Sequence, residues 1–186
     1  MKPAIQTRYG GVLYRSRTEA RWAVLFDALG LRVDYEPEGF SIRGGGYLPD
    51  FYCHDFHMFM EVKGTDPTPQ EIAKCAALTE AAECDVLLLI GAPAERFQIM
   101  WFDRVGQRDD LYALAQDRRV RAGFWLIAED SGNWIGPARD GSLPDGPMFS
   151  GALEAAYSLA QAERFDGIAR ARRHPPVSHE AWRVAA

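Results

Sequence analysis

Apolar and polar positions near the start of the chain alternate in a way that predicts a short strand and then a helix. Residues 11–14 fit a strand, and Ser16 followed by Glu19 has the spacing of a capping box, which opens helices. The helix should run to about Leu29, because Gly30 can adopt the left-handed conformation that ends a helix. Glu19 lies at the edge of the apolar stripe, so its carboxylate can point toward the core sheet.

Three further segments, each followed by turn residues or a proline, predict strands. They cover residues 32–36, 47–53 and 56–63. The glycines at 44–46 predict a flexible turn ahead of the second run.

A second capping box, Thr68 to Glu71 with proline at the first helical position, predicts a helix to about Ala82. The continuous apolar run at residues 86–90 predicts a strand that is covered on both faces. Beyond it we expect strands at 97–102 and 124–128 and a long alanine-rich helix at 150–173. The order indicates an α/β fold: an αβββαβ core with a right-handed crossover and a mixed central sheet flanked by helices.

Two of the predicted strands bring three polar side chains together. In the run 56–63, Glu61 and Lys63 share one face. A hairpin that turns at residues 54–55 is the simplest connection, although other registers are open. In that register Asp50 lies opposite Phe59, and Glu61 becomes its diagonal neighbour on the same face, near enough for two carboxylates to hold one ion.

Composition limits the class of protein. The chain has 186 residues, 47% hydrophobic and 25% charged, which fits one globular domain with an extension. No signal-peptide pattern and no apolar run of membrane-spanning length is present, so we expect a soluble, cytoplasmic protein with no membrane partner. The three cysteines have no C-x-x-C spacing and are interpreted as small buried thiols.

The net charge of −5 argues against a nucleic-acid-binding surface that covers the whole protein, so any such contact must be local. Two basic clusters offer one, and each is equally well explained as a solvated face. They consist of Arg8, Arg15, Arg17 and Arg21, and of Arg164, Arg170, Arg172, Arg173 and His174.

The pattern of Asp50, Glu61 and Lys63 fits the chemistry of phosphodiester hydrolysis. Magnesium accepts one or two protein carboxylates and keeps its other positions for water and phosphate. A lysine on the same strand face can orient the attacking water or stabilise charge on the phosphate.

Pro49-Asp50, ten intervening residues and then Glu61-Val62-Lys63 resemble the PD-(D/E)XK signature of restriction-endonuclease-like nucleases. The motif is short, and the sequence features around it make the resemblance more specific. The residues 16–21 helix, the Tyr35-Glu36-Pro37 strand end and the crossover to the strand at residue 86 follow in the order that this family shows. The resemblance covers about residues 8–91.

This resemblance implies a restriction-endonuclease-like core at residues 8–104 and an extension at 105–186 that packs on it and binds substrate or a partner. Asp50 and Glu61 would be metal ligands, the backbone carbonyl of Val62 could complete the shell, and Lys63 would be the catalytic lysine. Glu19 matches an acidic position that assists the metal or the water in part of the family; its alternative role is that of a helix cap. Mg²⁺ is the implied cofactor, and Mn²⁺ should substitute for it.

The implied function is a metal-dependent endonuclease that hydrolyses DNA in restriction, recombination or repair, or in a phage or mobile element. The alternative is a non-catalytic nucleic-acid-binding or assembly subunit that keeps the nuclease fold, and RNA stays open as a substrate. A homodimer or a partner protein is compatible with either. The arginines that we expect to contact nucleic acid are Arg15, Arg17, Arg170, Arg172 and Arg173.

Aromatic and imidazole side chains nearby have two interpretations each. His57 shares the predicted face of Glu61 and could touch metal or phosphate, but a packed strand histidine is the favoured interpretation. Trp101, Trp125 and Trp134 could stack on bases, and core packing is favoured for them.

Overall fold

The computed structural model describes residues 4–93, 98–103, 108–109 and 151–165. The strands are β1 Thr7–Tyr9, β2 Val12–Tyr14, β3 Val33–Tyr35, β4 Phe40–Ile42, β5 Gly45–Tyr47, β6 Phe51–Cys53, β7 Met58–Lys63, β8 Asp85–Ile90, β9 Gln98–Phe102 and β10 Arg108–Asp109; the helices are α1 Arg17–Ala28, α2 Pro69–Ala82 and α3 Gly151–Ala162.

The chain divides into two compact units, with a boundary after Leu31. The first unit contains β1, β2, α1 and α3, and the second contains the remaining elements. The helices in the described ranges include none that is long and apolar enough to cross a membrane. The predicted division near residue 104 stays a prediction.

In the first unit, α1 begins and ends as the sequence predicts. Ser16 Oγ accepts the N–H of Glu19 at 3.1 Å. At the other end Gly30 has φ +71°, and the N–H of Leu31 donates to the carbonyl of Phe26 at 3.0 Å, so a left-handed glycine ends the helix. The strand β1, which the sequence did not predict, pairs with β2 in an antiparallel hairpin.

The predicted helix at 150–173 is too long. The helix α3 ends at Ala162, and residues 163–165 are not helical. Arg21 of α1 donates to the carbonyls of Ala160 and Gln161, the second at 2.8 Å, and its guanidinium lies 5.5 Å from the ring centre of Phe165. These carbonyls belong to the last turn and need partners from outside the helix, which Arg21 supplies.

The second unit is built on a mixed sheet of five strands with the two-residue β10 added at one edge. Its order is β10-β9-β8-β7-β6-β3, with β7 and β8 parallel and all other neighbours antiparallel. The helix α2 connects β7 with β8, as predicted, and packs on β8. The elements follow the predicted chain order of helix, three sheet strands, helix and strand, and β9 lies beside β8 as expected.

The predicted strand at 47–53 is wrong as a single element. Only residues 51–53 join the central sheet, while β5 pairs with β4 in a separate hairpin. Pro49 interrupts the run because it has no N–H to donate to a ladder. The glycine run at 44–46 is therefore part of a two-stranded hairpin, with Gly44 at its turn at φ +110°.

The predicted hairpin register is also wrong, by two residues. Phe51 pairs with Met60 and Cys53 with Met58, so the turn has four residues, 54–57, in place of two. Asp55 is used elsewhere: its carboxylate accepts the backbone N–H of Arg32 at 2.7 Å and pairs with the Arg32 guanidinium. A shift by an even number keeps every side chain on its face, so the predicted faces hold although the opposing pairs change.

Candidate active site

Asp50 and Glu61 lie opposite each other across β6 and β7. Phe51 pairs with Met60, so Asp50, the residue before β6, comes directly opposite Glu61 and not on the predicted diagonal. The N–H of Asp50 donates to Glu61 Oε2 at 3.3 Å, and the N–H of Val62 donates to Asp50 Oδ2 at 2.8 Å. Both acidic residues are only 4% exposed. Two carboxylates are thus held side by side in the interior.

Lys63 completes the predicted triad. Its Nζ lies 2.8 Å from Glu61 Oε1 and 3.5 Å from Glu71 Oε1. Burial lowers the pKa of Lys63, but the carboxylates of Glu61, Asp50 and Glu71 outweigh it, so the pKa lies above its usual value. The lysine is therefore an ammonium at neutral pH, and it offsets part of the acidic charge beside it.

The backbone carbonyl of Val62 points toward the β6 side of β7, where Asp50 lies. In an antiparallel pair, the N–H and the C=O of one residue face the same neighbouring strand. The N–H of Val62 is directed at Asp50 on the β6 side, so its carbonyl lies on that side as well. The carbonyl of Lys63 faces the opposite side, where it accepts the N–H of Gly91 at 2.7 Å.

Tyr47 belongs to this site, and the sequence did not identify it. Burial, the neighbouring Cys75 thiol and the charges of Glu61 and Asp50 raise the pKa of Tyr47, so its phenol is neutral beside Glu61. Cys75 of α2 is fully buried, and burial raises the pKa of this thiol to about 12. The ammonium of Lys74 lies 5.9 Å from the Tyr47 ring centre. The β4–β5 hairpin therefore brings a neutral phenol close to Glu61.

Glu71 is the second residue that sequence reasoning missed. Its place in the capping box was predicted and is confirmed, with Thr68 and Glu71 bonded reciprocally. Its contact with Lys63 was not predicted. The signal was the short connection: α2 starts six residues after Lys63, so the first turn of the helix returns close to the strand end.

The donor set fits a hard divalent cation. Within the described residues, no three His, Cys, Asp or Glu side chains form a group suited to a metal. The candidate ligands are therefore two buried carboxylates and the carbonyl of Val62, all oxygen atoms. Mg²⁺ is usually held in this way, by one or two carboxylates with water and phosphate in the remaining positions.

Glu19 lies in the first unit, where it is 7% exposed. Its Oε2 accepts the N–H of Arg15 at 3.1 Å, one residue before the position that a reciprocal capping box would use. Glu19 thus caps the start of α1 through the N–H of Arg15 in place of the N–H of Ser16. The assistance of Glu19 to a metal or a water stays a prediction. Arg15 and Arg17 are exposed, and their predicted contact with nucleic acid is untested.

His57 is neither a packed strand residue nor a neighbour of Glu61. It is exposed in the β6–β7 turn with φ +53°, because the longer turn removes it from the strand. Trp101 is half-buried in β9, where its indole N–H donates to Asp85 at 3.2 Å. Other predictions concern residues outside the described ranges: the strand at 124–128, Trp125, Trp134, Arg170, Arg172 and Arg173.

Cys53 and Cys75 are buried as predicted, and Cys84 is partly buried; all three thiols are free.

Comparison of the chain with protein-family models, with curated proteins and with solved structures finds no significant match.

Proposed function

We propose that the chain is a Mg²⁺-dependent deoxyribonuclease of the PD-(D/E)XK type, which hydrolyses DNA phosphodiester bonds within the strand. One observation carries the proposal: Asp50 and Glu61 are buried directly opposite each other, and Lys63 is bonded to Glu61. The sequence motif predicted this trio from the spacing of its residues alone. The pairing of β6 with β7 and the contact between Lys63 and Glu61 support the prediction that the three residues act together.

The charge of the pair supports a cation site. Two carboxylates that lie opposite each other on neighbouring strands repel each other, and burial increases the free-energy cost of this repulsion. Lys63 compensates one charge at 2.8 Å. A site arranged only for stability would not retain the second charge, whereas a divalent cation would offset it.

In the proposed reaction Asp50, Glu61 and the Val62 carbonyl hold the ion, which when bound polarises a phosphate oxygen and lowers the pKa of a water. Lys63 donates a hydrogen bond to the attacking water or to the phosphate, where negative charge develops. The phenol of Tyr47, which lies close to Glu61, is proposed to donate a hydrogen bond to that carboxylate and to keep it in one orientation. Glu19 is proposed to assist the metal or the water.

The substrate is proposed to be DNA, and residues 105–186 are proposed to supply substrate choice or partner contacts. The fold positions the chemistry, while specificity depends on surfaces outside the reacting groups.

The test is cleavage of supercoiled, linear, single-stranded and branched DNA, and of RNA, with Mg²⁺ or Mn²⁺. Lys63→Ala and Asp50→Asn should abolish cleavage, with a loss of at least about a hundredfold for the lysine. Glu80→Gln is the matched control, because Glu80 is exposed on α2. No cleavage of any substrate by the wild type, with DNA binding retained, would favour the non-catalytic binding subunit. Cleavage that survives both substitutions would refute the site.

A further inference from the structure

The two oxygens of Glu71 have different partners. Oε2 accepts both the backbone N–H and the hydroxyl of Thr68, each at 2.8 Å. Oε1 lies 3.5 Å from Lys63 Nζ. The helix start therefore fixes the carboxylate through one oxygen and directs the other at the lysine.

Lys63 is thus held between two unequal carboxylates. The Glu61 side chain is 5% exposed and the Glu71 side chain 34% exposed, and the shorter contact is to the buried one. A divalent cation on Asp50 and Glu61 would compete with the Lys63 ammonium for the Glu61 carboxylate. Two cations in contact with the same carboxylate repel each other strongly. The lysine then needs another partner within reach.

We propose that Glu71 is a positioning residue that receives Lys63 when a divalent cation binds to Asp50 and Glu61. The proposal rests on the proposed function, since it requires a cation at that pair. Ordinary hydrogen bonds to a carboxylate are about 2.8 Å long, so a small movement of the lysine end closes the gap to Glu71. The ammonium stays beside the site and exchanges one acidic partner for the other.

The consequence is a coupling between Glu71 and metal affinity that passes through Lys63. Glu71→Gln keeps the size of the side chain and an oxygen for Thr68, and glutamine is accepted at this capping-box position. The variant removes the charge that would receive the lysine. Displacement of Lys63 from Glu61 then costs more, and the Kd for Mg²⁺ should rise about two- to fivefold.

A double-mutant cycle separates this coupling from the general effect of one lost negative charge. Lys63→Met removes the competing ammonium and keeps an unbranched chain. In the Lys63→Met background, Glu71→Gln should change the Kd by much less than in the wild-type background. Glu80→Gln removes an exposed charge from the same helix and should have a small and equal effect in both backgrounds.

The measurement is isothermal calorimetry of Mg²⁺ binding to the full chain without DNA, beside Asp50→Asn. Affinity that depends on Asp50, and a Glu71 effect that depends on Lys63, support the proposal. Affinity that depends on Asp50, with an equal Glu71 effect in both backgrounds, overturns this inference and leaves the proposed function intact. No Mg²⁺ binding that depends on Asp50 overturns both.

The thermal unfolding midpoint is measured for every variant to check the fold. If Glu71→Gln lowers it, Glu71→Asp provides the same cycle with the charge retained on a shorter side chain. It should raise the Kd less than Glu71→Gln does, and only where Lys63 is present. A rise in the absence of Lys63 would contradict the proposed route.

Discussion

Asp50 and Glu61 face each other across β6 and β7, and a backbone N–H of the first residue donates to the carboxylate of the second at 3.3 Å. Each residue is 4% exposed. Burial of two neighbouring carboxylates costs free energy unless positive charge offsets it. The pair therefore lowers the stability of the protein in the absence of a cation, and this has a measurable consequence.

Asp50→Asn should raise the free energy of unfolding in EDTA by about 1 kcal/mol, because it removes one of two repelling charges and keeps an acceptor for the N–H of Val62. Mg²⁺ at about a hundred times its Kd should stabilise the wild type by about 2.7 kcal/mol and the variant hardly at all. Denaturant unfolding with and without Mg²⁺ measures both effects. Asp66→Asn is the control, because Asp66 is exposed. Equal stabilisation of both proteins by Mg²⁺ would refute a cation site at Asp50.

The sequence predicted the proximity of Asp50, Glu61 and Lys63 better than it predicted the strands that carry these residues. Alternation along β7 predicted that Glu61 and Lys63 share one face of the strand. The predicted register between β6 and β7 was wrong by two residues, and because this shift is even, Asp50 still lies on the predicted face. The error arose at the turn, where His57 adopts φ +53°, a conformation that residue type alone does not indicate for histidine.

Contacts between distant segments could not be predicted. Tyr47 lies close to Glu61 because it belongs to the β4–β5 hairpin, whereas the sequence pattern predicted a turn and the beginning of another strand there. The end of α3 also involves a distant contact, since Arg21 donates to its last turn from more than a hundred residues earlier in the chain. Local patterns predicted the helix starts, where the capping groups are neighbours in sequence.

Tyr47→Phe should reduce kcat by about tenfold, because Glu61 loses the proposed hydrogen-bond donor and with it a fixed orientation. The KM for DNA should hardly change, since the phenol is proposed to contact Glu61 and not the substrate. Steady-state cleavage kinetics separate the two parameters. Tyr52→Phe is the control, because the Tyr52 ring packs on Phe59 and His54. An unchanged kcat for Tyr47→Phe would exclude the supporting role.

The same residue predicts a dependence of stability on alkaline pH. The pKa of Tyr47 is raised above its usual value of 10.0, with burial as the largest cause. Above pH 10 the unfolded chain releases this proton while the folded chain retains it, so stability that is complete below pH 10 is lost as the pH rises. Urea unfolding at pH 9 to 11 should show a decline that is smaller for Tyr47→Phe, by up to about 1.4 kcal/mol per pH unit. Parallel declines in both proteins would contradict the assignment.

Arg21 and Arg17 lie on the same helix and should differ in what they do. Arg21→Met keeps the aliphatic part of the side chain but leaves the carbonyls of Ala160 and Gln161 without its guanidinium, so we expect a loss of about 1 kcal/mol in the free energy of unfolding. Arg17 is exposed in the first turn, and Arg17→Met should change stability by less than about 0.5 kcal/mol.

The effects on DNA affinity should have the reverse order, so that Arg17→Met weakens DNA binding more than Arg21→Met does. Arg17 is predicted to contact nucleic acid, whereas the Arg21 guanidinium donates to the last turn of α3. Loss of one phosphate contact should weaken binding and reduce its salt dependence by about one unit of slope. Denaturant unfolding and salt-dependent DNA binding of both variants make the comparison. Weaker DNA binding by Arg21→Met with unchanged stability would show that the guanidinium serves the nucleic acid instead of the helix.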